Sequence, residues 1–375
     1  MQRTPDVLVV GGGVIGCAIA HALAGGGRSV VLIDRGALGG EASSASAGVL
    51  AVASGSEMEG PRLALRRASL ASFASLAAAL VEETGVDVEY EVRGVLELCL
   101  DEPEESAAAA RVAERQAMGL RAEWIDAAAL RDVEPCANRA ARGAILFPDD
   151  AQLDGARLVA ALAAAARRRG AELLPGMPVL GAEGSRERIA RVRVGEEWVE
   201  PGTVVLAAGA WAARVPGLAP WLPVGPARGQ MLALRPAAPL SRHVLSHGNA
   251  YLVPRRSGEW LVGATIEHVG YDRTVTPAGM MALGQRIAVL APAGLDAPVT
   301  RAWAGLRPFV PGASDASDGG PILGRAPGIA NLVLACGHHR NGMLLAPITA
   351  ALVAAVLDGT VPPVPLEPFL PDGAA

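Results

Sequence analysis

The stretch Asp6-Val-Leu-Val-Val-Gly-Gly-Gly-Val-Ile-Gly-Cys-Ala-Ile-Ala20 reads as an apolar strand that turns through glycines into a helix. That is the first step of a dinucleotide-binding βαβ unit. In the G-x-G-x-x-G reading, Gly11 makes the tight turn, Gly13 lets backbone approach a pyrophosphate, and Gly16 lets helix and strand pack closely. A second apolar run, Val30-Val-Leu-Ile33, ends in Asp34, 23 positions after Gly11. A ribose-binding carboxylate is expected about 20 residues on.

Composition narrows the possibilities further. A chain of 375 residues has room for one large or two ordinary domains, and 51% hydrophobic residues can build a sizeable core. The net charge of −5 gives no basic surplus for nucleic acid, and the densest basic run is only Arg167-Arg-Arg169. All 33 basic residues are Arg. Without a lysine, a Schiff-base mechanism and a P-loop are both excluded. Cys17, Cys99, Cys136 and Cys336 are scattered without C-x-x-C spacing, which predicts neither a zinc site nor a disulfide framework and suits a reduced cytoplasmic setting. The apolar stretch Gly342 to Leu357 is shorter than the roughly 20 residues of a membrane span and reads as a buried helix. The apolar run after Arg3 is broken at Gly11, unlike the core of a secretory signal.

Outward from the opening unit, Gly39 to Gly48 is a small-residue loop whose hydroxyls and backbone N–H groups suit a second phosphate contact. Helical periodicity follows over Leu63 to Glu83, strand-like alternation over Val86 to Leu100, and an acidic alanine-rich helix over Glu102 to Met118. Gly155 to Gly170 reads as a helix ended by glycine, Glu172 to Leu180 as a strand, and Thr203 to Ala207 as another. That last strand runs into a small-residue turn at Gly209, a place for backbone to pass close to a cofactor. Gln230 to Leu234, Tyr251 to Pro254 and Trp260 to Gly263 are short strands of an antiparallel sheet. Near the end, Asn331 to Ala335, then Gly337-His-His-Arg-Asn-Gly342, then a helix to Asp358 repeats the logic of strand, glycine turn and helix.

Taken in order, Gly11 to Gly16, the loop closing on Ala47-Gly48, Ala207 to Trp211, Tyr251-Leu-Val-Pro-Arg255, Trp303-Ala-Gly-Leu-Arg-Pro308 and Gly337 to Pro347 resemble the FAD-dependent D-amino-acid oxidase superfamily. Within it, the resemblance is to the glycine oxidases of thiamine biosynthesis, over nearly the whole chain. It implies FAD in an extended conformation. Val14, Ile15, Asp34, Arg35, Ala42, Ser43, Ala47, Gly48 and Val49 would follow the adenosine, pyrophosphate and ribityl path, with Val179 near the adenine. His338, His339, Arg340, Asn341, Gly342, Met343 and Leu344 would border the flavin ring. The resemblance assigns Arg307 and Arg340 to the substrate, and a guanidinium fork suits an α-carboxylate. Tyr251 either adds a phenol hydrogen bond to that carboxylate or is a satisfied core tyrosine.

His21, His243, His247 and His268 share no spacing, and Asn249 stands where relatives can carry a histidine, so no histidine is given a proton-transfer role. Cys336 does not match an attachment motif, and the FAD is expected to be noncovalent. No metal is called for. The expected fold is α/β (α+β overall), a Rossmann-like FAD-binding domain over residues 1–84, 143–222 and 302–365. A discontinuous antiparallel-sheet substrate domain would occupy 85–142 and 223–301, leaving 366–375 as a tail. The expected reaction is oxidative deamination of glycine or another small amine acid: hydride leaves Cα for flavin N5, the product is an imine, and dioxygen becomes hydrogen peroxide. The alternatives are a D-amino-acid, sarcosine or proline dehydrogenase with a quinone acceptor, and a noncatalytic flavin-binding module. The partners expected are a small amino acid and dioxygen, with no nucleic acid and no membrane span; a homo-oligomer stays open.

Overall fold

The computed structural model describes residues 1–55, 59–237, 241–311 and 320–372. Val7–Val10 is buried throughout and lies inside a six-stranded sheet, paired in parallel with Val30–Asp34 on one side and Thr203–Leu206 on the other. Unbroken apolar runs suit strands covered on both faces. Alternate side chains point to opposite sides: Val7 and Val9 join a core with the helices Val14–Gly25, Gly155–Arg168 and Gly342–Asp358. Leu8 and Val10 join a second core with the three-stranded sheet of Val179–Gly184, Ile189–Val194 and Glu197–Val199. The six-stranded sheet is completed by Glu172–Pro175 at one edge and by Leu332–Cys336 and Ile322–Arg325 at the other. Only Ile322–Arg325 runs antiparallel there.

The second large sheet has eight strands, in the order Val299–Phe309, Gly225–Leu234, Trp260–Gly263, Ala250–Pro254, Val244–His247, Val95–Cys99, Gly143–Phe147 and Glu123–Asp126. Its pairs are antiparallel except Val244–His247 with Val95–Cys99, two strands that come from distant chain segments and not from one hairpin.

Several sequence expectations change in detail. Leu63 to Glu83 forms two helices, Gly60–Ala71 and Phe73–Thr84, meeting at Ser72. The Ser72 hydroxyl donates to the Ser69 carbonyl at 2.7 Å, a side-chain bond that competes with the helix backbone. By length and composition alone, Gly60–Thr84 is the one stretch among the described residues able to cross a membrane. Here its Leu63, Leu65, Phe73 and Leu80 are buried in the core. Of Val86 to Leu100, only Val95–Cys99 is a strand, because the chain turns at Gly94 with φ +76°. Glu172 to Leu180 divides between two sheets at Gly176, where φ is +77°. Gly143–Phe147 and Val299–Phe309 run whole in the eight-stranded sheet, so the expected boundaries at 143 and 302 fall at the start of one strand and inside the other.

Candidate active site

The opening turn is fixed by space as much as by torsion. Gly11 has φ +115°, and a Cβ there would stand 2.4 Å from the Ala207 carbonyl oxygen. A Cβ on Gly16 would stand 1.8 Å from the Gly11 carbonyl oxygen, so helix and turn meet through bare backbone. At Gly13 the nearest atom to such a Cβ is Ser43 Oγ at 3.3 Å, which leaves the approach to the turn open. Ser43 Oγ also accepts the Val14 N–H at 2.9 Å. Asp34 is a structural part of the turn too: its Oδ2 accepts the Gly12 N–H at 2.7 Å and its Oδ1 the Gly36 N–H at 2.8 Å.

A cavity of about 770 Å³ opens from this turn. Gly11, Gly13, Val14, Ile15, Asp34 and Arg35 line it. So do Ala42, Ser43, Ala47, Gly48, Val49, Val179 and Gly209, and, on the C-terminal turn, His338, His339, Arg340, Asn341, Gly342 and Met343. Tyr251 and Arg307 reach the same space. Two expected residues do not. Gly16 packs behind the turn, and Leu344 is buried in the core, where its carbonyl accepts the Ser69 hydroxyl.

The walls join residues the sequence marked to others it did not. Arg35 lies over the Trp211 ring at 4.2 Å, Trp211 contacts Tyr271 at 5.5 Å, and Arg214 lies over Tyr271 at 3.9 Å, four cavity residues in one stack. Trp211 sits in a quoted motif, but Tyr271 is 60 positions away and only the fold brings them together. Another wall carries the Glu97–Arg111 ion pair at 2.8 Å, with Arg66, Arg115 and Ser246.

Three chain segments deliver the polar groups beside the C-terminal turn. Tyr251 stands on Ala250–Pro254 and donates its phenol hydrogen to Met231 Sδ at 3.3 Å. Arg307 stands on Val299–Phe309 and donates from Nη1 to the Thr265 carbonyl at 3.1 Å. Arg340 is exposed on the turn and has no ion pair among the described residues. The His339 N–H donates to the Pro308 carbonyl at 3.0 Å, which ties the turn to the strand that bears Arg307. His339 takes φ +43°, a left-handed conformation uncommon outside glycine. Behind Tyr251, Arg286 donates to the Asn249 carbonyl at 3.1 Å and to that of Ala264. Burial pulls its guanidinium pKa down, with Arg307 and Arg340 adding to the effect and Tyr251 opposing it.

His338 is buried, its Nε2 lies 3.0 Å from Thr349 Oγ1, and burial pulls its pKa to about 3. It is neutral at pH 7. His21, His243, His247 and His268 lie outside the cavity lining. Cys336 is buried, donates to the Leu206 carbonyl at 3.1 Å and is pushed up to about 12 by burial, an inert thiol outside the lining. No group of acidic, histidine and cysteine side chains among the described residues is arranged to hold a metal ion.

A mostly parallel sheet covered by helices on one face and by a three-stranded sheet on the other, a glycine turn leading into a helix amino terminus, and a cavity shared with a second large sheet together define a dinucleotide-dependent protein. The first helical turn carries no acidic side chain to repel a pyrophosphate, and the residues present fit a dinucleotide. The chain belongs to the FAD dependent oxidoreductase family, whose model matches residues 6–356, and its cofactor is FAD. It is 34% identical to a glycine oxidase of Geobacillus kaustophilus, covering 98% of this chain and 97% of that one. The crystal structure of glycine oxidase from that organism superposes with a TM-score of 0.91 at 33% identity, over 98% of both chains. A bifunctional protein ThiO/ThiG of Synechocystis is 36% identical over 97% of this chain, which spans about half (53%) of that relative's length. An iminodiacetate oxidase from Chelativorans superposes at 0.87 with 27% identity, covering 97% of this chain and 98% of that one.

Proposed function

We propose that this protein oxidises a small amino acid at Cα, with glycine as the preferred substrate. The observation that carries the reading is the convergence of Arg307, Tyr251 and Arg340, from separate segments, on one cavity with the His338–Met343 turn. Two guanidinium groups and a phenol offer the donor set that a carboxylate needs. In this reading Arg307 and Arg340 fix the carboxylate and Tyr251 adds one hydrogen bond, which leaves Cα and the amine directed away from the charge-binding end. The neutral His338 adds no positive charge there.

The backbone of Gly11, Gly13, Val14 and Ile15 would hold the pyrophosphate, Asp34 the ribose, and the His338–Met343 turn the ring. The amino terminus of Gly342–Asp358 places a positive helix end by that turn. FAD, when bound, would accept the two electrons of the oxidation as a hydride from substrate Cα, with dioxygen reduced to hydrogen peroxide as the final acceptor. The product imine would hydrolyse to glyoxylate and ammonia or feed thiazole formation for thiamine. The similarity to glycine oxidases and to ThiO/ThiG supports this choice of substrate and role. We infer that the FAD is noncovalent, because Cys336 is buried outside the lining, and that the protein is cytoplasmic, which suits four free cysteines.

An oxygen-electrode panel on FAD-loaded protein tests the reading, with glycine, sarcosine, D-alanine and D-proline as substrates. Oxygen uptake fastest with glycine, and equivalent peroxide, is expected. Dye reduction without oxygen uptake would instead make the protein a dehydrogenase, and silence with all four would leave a binding module.

A further inference from the structure

We propose that Gly229 and Gly263 form the floor of the carboxylate pocket and set the position of Arg307 and Tyr251 above the eight-stranded sheet, an inference that rests on the substrate reading above. Both glycines lie in strands, Gly225–Leu234 and Trp260–Gly263. Glycine weakens a strand and marks places where something approaches closely. Neither has a left-handed φ, so backbone freedom does not explain them. Space does. A Cβ on Gly229 would stand 2.2 Å from Arg307 Nη2, 2.4 Å from Nη1 and 2.5 Å from Cζ. A Cβ on Gly263 would stand 2.5 Å from both Cζ and Oη of Tyr251 and 2.4 Å from Met231 Sδ. The guanidinium and the phenol occupy the volumes that side chains would otherwise fill.

The register accounts for both overlaps. Tyr251 and Gly263 are direct partners across their strands. Arg307 opposes Ala227, and Gly229 is two residues further along on the same face, so the guanidinium leans diagonally over it. The atoms in conflict are the ends of side chains and not backbone. A methyl group at either position would therefore move the carboxylate donors while the sheet stays in place. Gly229 and Gly263 are positioning residues: they act only through Arg307 and Tyr251.

The test is a pair of double-mutant cycles on FAD-loaded protein, G229A with R307A and G263A with Y251F. Two readouts are used: acetate titrated against the visible flavin spectrum, and KM and kcat for glycine. Each glycine variant is expected to raise the acetate Kd and the glycine KM about tenfold or more, with a smaller change in kcat, because a charge-assisted or phenolic contact is displaced. Each effect is expected to vanish once its partner is removed. Effects that persist in the R307A or Y251F background, or unchanged acetate binding in both glycine variants, would overturn the floor. If G229A alone fails to fold, recovery of folding in G229A/R307A supports the contact, and failure of both contradicts it. Normal acetate binding in R307A and Y251F themselves would instead refute the substrate reading, and the floor with it.

Discussion

At His338, burial settles the chemistry of a side chain. The ordinary histidine value near 6.5 falls to about 3 in the fold, while the unfolded chain keeps the ordinary value. Between those values the unfolded state binds the extra proton, so acidification from pH 6.5 toward 3 costs the folded state stability that is fully present above 6.5. At pH 5 this one group accounts for about 2 kcal/mol. Thermal unfolding of wild type and His338→Gln at pH 7.5 and pH 5 checks it: the variant is expected to lose less stability on acidification, and parallel losses would show that His338 protonates in place. The residue itself was legible as part of the C-terminal glycine turn, from its motif, and it lines the cavity. Its protonation was not, because burial by Gly342–Asp358 is a tertiary fact. Tyr251 was open between a carboxylate contact and a core tyrosine for the same reason: only the fold shows it half-buried on the cavity wall.

Among the elements, the loop over 51–55 depends on one carboxylate. Asp150 is buried, and its oxygens accept the N–H groups of Val52, Ala53 and Ser54 at 2.8, 3.0 and 2.9 Å. Burial pushes its pKa up and the three donors oppose that rise. Ala51, Ser54 and Gly55 of this loop line the cavity. Replacing Asp150 with alanine leaves three N–H donors without an acceptor, two of them buried, and is expected to cost about 3 kcal/mol or more. A denaturant midpoint within error of wild type would contradict it. Elements carried by local pattern were legible: the opening strand, turn and helix, the helix Glu102–Ala117, and the helix Gly342–Asp358. Elements decided by single residues were blurred. Gly176 cuts one expected strand in two, and Gly94 delays another to Val95.

Over the whole molecule, the site exists only because two sheets share a cavity. Arg307 comes from the eight-stranded sheet and Arg340 from the turn after the six-stranded one, joined by the His339 to Pro308 hydrogen bond. The motifs placed both arginines in one site, and Arg35 and Trp211 were marked singly, yet the stack that joins them to Arg214 and Tyr271 depends on segments distant in the chain, and the Glu97–Arg111 pair on how a strand and the next helix pack; neither left a local trace. The claim that joins the layers is that substrate carboxylate at Arg307 directs Cα to bound FAD. The most direct measurement is anaerobic mixing of glycine with FAD-loaded wild type and Arg307→Ala, following the visible flavin absorbance. Wild type is expected to bleach, and the variant to need more glycine or react about ten- to a hundredfold less efficiently, since one charge-assisted contact worth about 1.5–3 kcal/mol is gone. A wild-type flavin that stays oxidised, or equal bleaching in both proteins, would contradict the assignment.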